Sequence, residues 1–337
     1  MAFSLGMLTD PTWLIASFAG GAFGAAIGAL PAFIFTGFMV IAGQATASLG
    51  LDGAGEGTAL TASGFTGVLG FGPVFGPHIS FAAGAAAAAY AAKQGYIDDG
   101  KNILWAAGTQ KTDVLLVGGI FGILGLASQQ ILNGIGFPTD NIALTVFLSA
   151  LIHRIAFGYS VIGEITGDGM FDVGPWERDE DEAPGIWLPW QYKWSGVAFI
   201  GIIGGLLGAF AYQATGSGLI GFGISAASLV FLQCGVDNIP VTHHITLPGA
   251  VGAIGASGGV ASGSPTLVLI FGGLFGLFGA LMGEICNRVF YMHGETHVDP
   301  PAFGIAASGL LATVLAIAGV FGTAFWNYPN SLLGVLY

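Results

Sequence analysis

Five stretches of this chain, residues 11–51, 57–92, 114–139, 194–236 and 300–337, contain no Asp, Glu, Lys or Arg. Crossing a bilayer as an α-helix takes about 20 mainly apolar residues, so several of these runs can each hold one or two spans. Only 8% of all residues are charged and 54% are apolar, against roughly a quarter charged in an ordinary soluble domain. A membrane β-barrel would show short strands of strict alternation with polar inward faces, and that pattern is missing. The chain therefore reads as an all-α polytopic membrane protein with about ten membrane segments. Its expected location is the cell membrane, multi-pass, with the lipid bilayer as its first partner.

Glycine is the next constraint, at 59 residues with no Gly-X-Y period, so a collagen-like rod is excluded. Many glycines recur at helical spacing, as at Gly20, Gly21 and Gly24 and from Gly201 to Gly208. Between helices in lipid, small residues let backbones approach closely, and a tightly packed bundle is expected. The net charge of −12 is concentrated in loops, chiefly 164–182, and argues against a nucleic-acid partner. Cys234 and Cys286 both lie in apolar segments outside any ligand-spaced group, which gives no disulfide framework. The N-terminus lacks the basic region of a cleaved signal peptide, so the first apolar run is expected to stay as a span.

Along the chain, Asp10 and Pro11 are placed to start the first helix. Residues 48–58 read as a loop, and a span over about 59–72 meets a break marked by Pro73 and Pro77. Lys93, Lys101 and Lys111 share one polar connection, the only lysine cluster, which sets the cytoplasmic side by the positive-inside rule. Residues 164–193 form an acidic linker whose tryptophans fit an interfacial belt.

An internal repeat is visible in two spans. LLVGGIFGILGLASQQILN (115–133) aligns without a gap to LIFGGLFGLFGALMGEICN (269–287), matching five glycines or phenylalanines and the closing Asn133 and Asn287. In both halves a histidine, an isoleucine and a hydroxyl residue come before this span, and Asp140 or Asp299 comes after it. The expected organisation is a first membrane repeat over 1–163, the linker over 164–193 and a second membrane repeat over 194–337. An odd number of crossings per half would place the second half upside down relative to the first. Inverted repeats are common in transporters, with binding near the midplane at broken helices.

The polar residues at the two breaks are the candidate site. His78-Ile79-Ser80 follows Pro77, and His244-Ile245-Thr246 follows Thr242 and His243. A helix restarting there points its first amides into the break, which favours an anion or the electron-rich end of a polar solute. The plain alternative is that each histidine only satisfies a carbonyl freed by the break. Asp237, Asn238, His243 and His244 form the densest polar group of the second half. Pore-lining or substrate-binding roles are thus expected of His78, Ser80, Asp237, Asn238, His243, His244 and Thr246. Adjacent histidines diverge on a helix, and zinc needs three or four convergent ligands, so no metal is expected. HGETH at 293–297 lacks the helical HExxH order, and no phosphate loop, nucleophile elbow or dinucleotide fingerprint occurs. No catalytic residue and no cofactor is expected.

Arg154, deep in an apolar run, should pair with an acid, snorkel or face water, and a staple to Glu284 or Glu164 is expected ahead of a role in selectivity. In general plan the duplicated halves resemble those of the urea transporters, and ammonium transporters likewise have paired pore histidines. The likeness covers layout and the presence of histidine, and transfers no positions. Together these features lead to a channel or permease for a small polar solute or ion, not an enzyme, possible as a homo-oligomer. The competing class is an assembly subunit of a larger membrane complex, with glycine faces and the linker as docking surfaces.

Overall fold

The computed structural model describes residues 6–48, 63–104, 111–180 and 185–322. The expected loop at 48–58 and the end of the last apolar run fall almost wholly outside these. Among the described residues every regular element is helical. In the first half come α1 (Pro11–Ile27), α2 (Ala29–Ser48) and α3 (Ser63–Gly70, π-wound), then α4, which starts as the π turn Pro77–Phe81 and runs on as Ala82–Lys93. Then follow α5 (Thr112–Gly134) and α6 (Asn141–Phe157). The second half has α7 (Trp194–Thr215), α8 (Ile220–Gln233) and α9 (His243–Ser257). It ends with α10 (Pro265–Tyr291, its last turn π-wound) and α11 (Pro300–Ile317).

Five of these, α2, α5, α7, α10 and α11, are long and apolar enough to cross a membrane. That is fewer than the ten segments expected from the apolar runs. The difference has a local cause: α1, α6 and α8 are apolar but shorter, and α3, α4 and α9 are cut by chain breaks. A run of uncharged residues reports apolar length, whereas Pro73, with no N–H to give, cannot continue a helix inside such a run, and Pro77 opens the next one.

Helix ends follow local chemistry. Asp10, Asp140 and Asp299 accept backbone N–H bonds at the starts of α1, α6 and α11, and Ser264 does so for α10. Gly158 and Gly216 close α6 and α7 in the left-handed conformation that glycine adopts without a Cβ penalty.

Glycine sets how the helices meet, and the two halves meet in matching ways. A Cβ on Gly21 would land on the backbone of Gly118 and Gly122, and one on Gly205 would land on Gly272 and Gly276. Likewise Gly24 is filled by Ser80 and Gly208 by Thr246, while the carbonyls of His78 and His244 press on Gly125 and Gly279. Thus α1 packs on α5 and α4 as α7 packs on α10 and α9. Helices facing each other across the halves run antiparallel. Gly37 of α2 meets Ala226 of α8 while Gly223 meets Val40, and Thr139, ahead of α6, bonds the Ala306 carbonyl of α11 while Phe147 meets Phe303.

Candidate functional site

The first break lies, and the second break ends, half-way along the neighbouring helices. The first, residues 71–76, leaves Phe75 with a carbonyl that accepts from Thr36 Oγ1 at the middle of α2, and Pro73 packs on Gly20 of α1. Beyond it α4 restarts beside Gly125, half-way along α5. The second, residues 234–242, brings the chain from the end of α8 to the start of α9, beside Gly279 and half-way along α10. No side chain caps either restart, Gly76–Pro77 or Thr242–His243.

Between the halves lies a cavity of about 200 Å³, which holds several water-sized groups. Its wall is mostly aromatic and aliphatic, with Phe33, Phe81 and Phe222 among its lining. Four helices begin on it, since Pro77, Asp140, His243 and Asp299 are all lining residues. Apart from the Tyr291 hydroxyl and the Trp187 and Trp190 ring N–H groups, the other polar members are Lys101 and His297, and the cavity reaches the exposed residues Leu104 and Trp190. In the opposite direction Phe33 is packed on the His243 ring at 4.6 Å and Phe71 on Phe222 at 5.7 Å.

The residues singled out in the sequence separate into three groups here. His243 lines the cavity. It is 5% exposed, its Nδ1 has no partner, and its ring packs on those of Phe33, Phe222 and His244. His78, Ser80, His244 and Thr246 are near it in the chain but are turned into helix packing. Ser80 Oγ bonds the Gly76 carbonyl and Thr246 Oγ1 the Thr242 carbonyl, each at 3.3 Å and four residues back along its own helix. His78 and His244 are buried with Nδ1 unpartnered, and His244 lies 5.9 Å from the Trp187 ring. Asp237 and Asn238 are exposed on a turn, where Asn238 takes a left-handed φ of 62°. The break is therefore deep at its helix-restart end and superficial at its beginning.

Four polar residues of the cavity were not singled out as site residues. Asp140 and Asp299 had one signal, an acid at the same place in both halves. Asp140 Oδ1 accepts from the amides of Ile142 and Ala143, both at 3.0 Å. Asp299 Oδ2 accepts from Ala302 N at 2.9 Å, and its Oδ1 is 3.3 Å from His297 Nε2. Lys101 Nζ sits 4.8 Å from the Tyr291 ring centre and 3.4 Å from the Met292 carbonyl. Burial lowers its pKa to about 8, partly offset by Asp99. No three His, Cys, Asp or Glu side chains converge as metal ligands among the described residues.

Arg154 is not held by an acid. Its guanidinium donates to the carbonyls of Val161, Phe290 and Thr296 and to Thr296 Oγ1, at 2.6 to 2.9 Å. Glu284 instead pairs with Arg288 four residues on, at 2.6 Å. The expected Arg154–Glu284 staple is thus replaced by an arginine that gathers two loops. The acidic linker closes the same face: Gln191 exchanges two hydrogen bonds with the Val241 backbone, and Trp190 Nε1 donates to the Ile239 carbonyl.

These features define a bundle of broken apolar helices around a cavity between the halves. The chain belongs to a family of unknown function (DUF7973), which it matches over residues 3–329. No curated protein and no solved structure matches it.

Proposed function

We propose that the protein is a multi-pass membrane permease or channel that carries a small polar solute or ion between two inverted five-segment repeats. The observation that carries this reading is the cavity between the halves, on which two uncapped mid-depth helix starts converge. Non-helical backbone at such depth is tolerated in a membrane only where protein buries it or a water-filled cavity receives it. The antiparallel pairing of α2 with α8 and of α6 with α11 supports the inversion, and the broken helices supply the remaining crossings toward ten. Lys93 and Lys101 flank the face on which the cavity opens, so that face is cytoplasmic in this reading. Phe71 and Phe222 close the route to the other side.

Reconstituted vesicles loaded and diluted into a panel of small neutral, zwitterionic and ionic solutes test the proposal. At least one solute is expected to equilibrate faster than in empty vesicles, and Phe71→Ala with Phe222→Ala should raise its rate several-fold. Absence of flux for every solute under any imposed gradient would end this reading. Copurification of other chains at fixed stoichiometry would then favour the assembly subunit.

A further inference from the structure

We propose that the cavity binds a small zwitterion, a primary amine and a carboxylate carried on one apolar body. This names a solute for the permease reading above and rests on it. Each helix start brings roughly half a positive charge to the cavity. At α6 and α11 that charge is met by Asp140 and Asp299. At α4 and α9 no side chain meets it. The start of α9 also presents His243, more than nine-tenths buried and lining the cavity, whose Nδ1 has no hydrogen-bond partner. The uncapped amides of these helix starts, with the imidazole in the tautomer that donates, select a carboxylate.

The opposite need is at Asp140. Both of its capping bonds use Oδ1, and Oδ2 makes none, although the residue is 7% exposed and lines the cavity. A carboxylate oxygen left so, beside aromatic rings, suits an ammonium group. The other charged groups on the wall are occupied: Asp299 by Ala302 N and His297, Lys101 by the Met292 carbonyl and the Tyr291 ring. A carboxylate alone leaves Asp140 Oδ2 unmet, and an amine alone leaves the uncapped starts of α4 and α9 unmet. Phe33, Phe81 and Phe222 receive the apolar body.

Three compounds with the same branched body separate the possibilities: leucine, 4-methylpentanoate and 3-methylbutylamine. Calorimetric titration of each into the full chain in lipid nanodiscs is expected to show leucine binding at least tenfold tighter than the other two. Asp140→Asn keeps a capping oxygen and should weaken leucine about tenfold while leaving 4-methylpentanoate no weaker. Should that variant fail to fold, His243→Phe is expected to weaken leucine and spare 3-methylbutylamine. Equal or tighter binding of either singly charged compound, or no binding of any, would overturn the proposal. Binding requires no transport, so leucine bound by a protein that moves nothing removes the permease and keeps the site. Flux of other solutes with no leucine binding does the reverse.

Discussion

Arg154 is the residue whose surroundings depart most from a sequence-level expectation. A guanidinium with no exposed surface and no acid partner is tolerable because four acceptors, from two loops and the last turn of α10, surround it. Each acceptor left orphaned costs about 1–3 kcal/mol. Arg154→Met should therefore lower the midpoint of thermal unfolding in detergent by several degrees or more, and Arg154→Lys should fall between, because an ammonium cannot reproduce the planar fork. An unchanged midpoint for Arg154→Met would contradict this account. Lys101 makes a separate prediction about pH. Its ammonium titrates near 8 when folded and near 10.5 in its ordinary state. Between those values the unfolded chain binds more protons, so this residue's contribution to stability rises with pH. Unfolding midpoints measured from pH 7 to pH 10 should climb more in the native protein than in Lys101→Met, and parallel curves would refute the burial argument.

At the scale of elements, helix-to-helix distance is decided by a few glycines with backbone directly opposite. Alanine favours a helix over glycine by about 1 kcal/mol. Overpacking a filled site costs about 1–3 kcal/mol. At Gly208 the new Cβ meets the Thr246 carbonyl, and at Gly24 it meets that of Ser80, neither of which can turn aside. At Gly196, within the first turn of α7, it meets nothing within 4 Å. Gly208→Ala and Gly24→Ala are therefore expected to destabilise, and Gly196→Ala to be neutral or slightly stabilising, in the same thermal assay. The repeated small-residue spacing was legible in the sequence. Which glycine faces a carbonyl and which faces open space was not, because spacing along one helix says nothing about the register of its neighbour.

For the molecule as a whole, the chain path predicts sidedness. Cys234 follows Gln233, whose side chain donates to the Leu104 carbonyl on the lysine-bearing face, whereas Ile135 lies at the far end of α5. An impermeant thiol reagent should reach native Cys234 and Asp98→Cys from the same side of sealed vesicles. In a Cys234→Ser background, Ile135→Cys should react from the other side. Labelling of all three from one side would remove the inverted arrangement. The candidate site was legible only in outline: the breaks and His243 stood out by proline, glycine and polarity. Asp140, Asp299 and His297 did not, because an aspartate ahead of an apolar run reads the same whether it caps a helix at the surface or inside a cavity.

The sequence by itself determined that the chain is helical and apolar, that it is interrupted around Pro73 and Pro77 and again before His243, and that one of its spans has a near copy. Those properties are local, set by residue hydropathy, capping groups and backbone freedom within a few positions. Only the tertiary structure decided that Ser80 and Thr246 bond back into their own helices while His243 opens onto the cavity, and that Arg154 is held by carbonyls in place of Glu284. Such choices depend on which surfaces of distant segments meet, and a difference of one residue in helix register turns a side chain by about 100°.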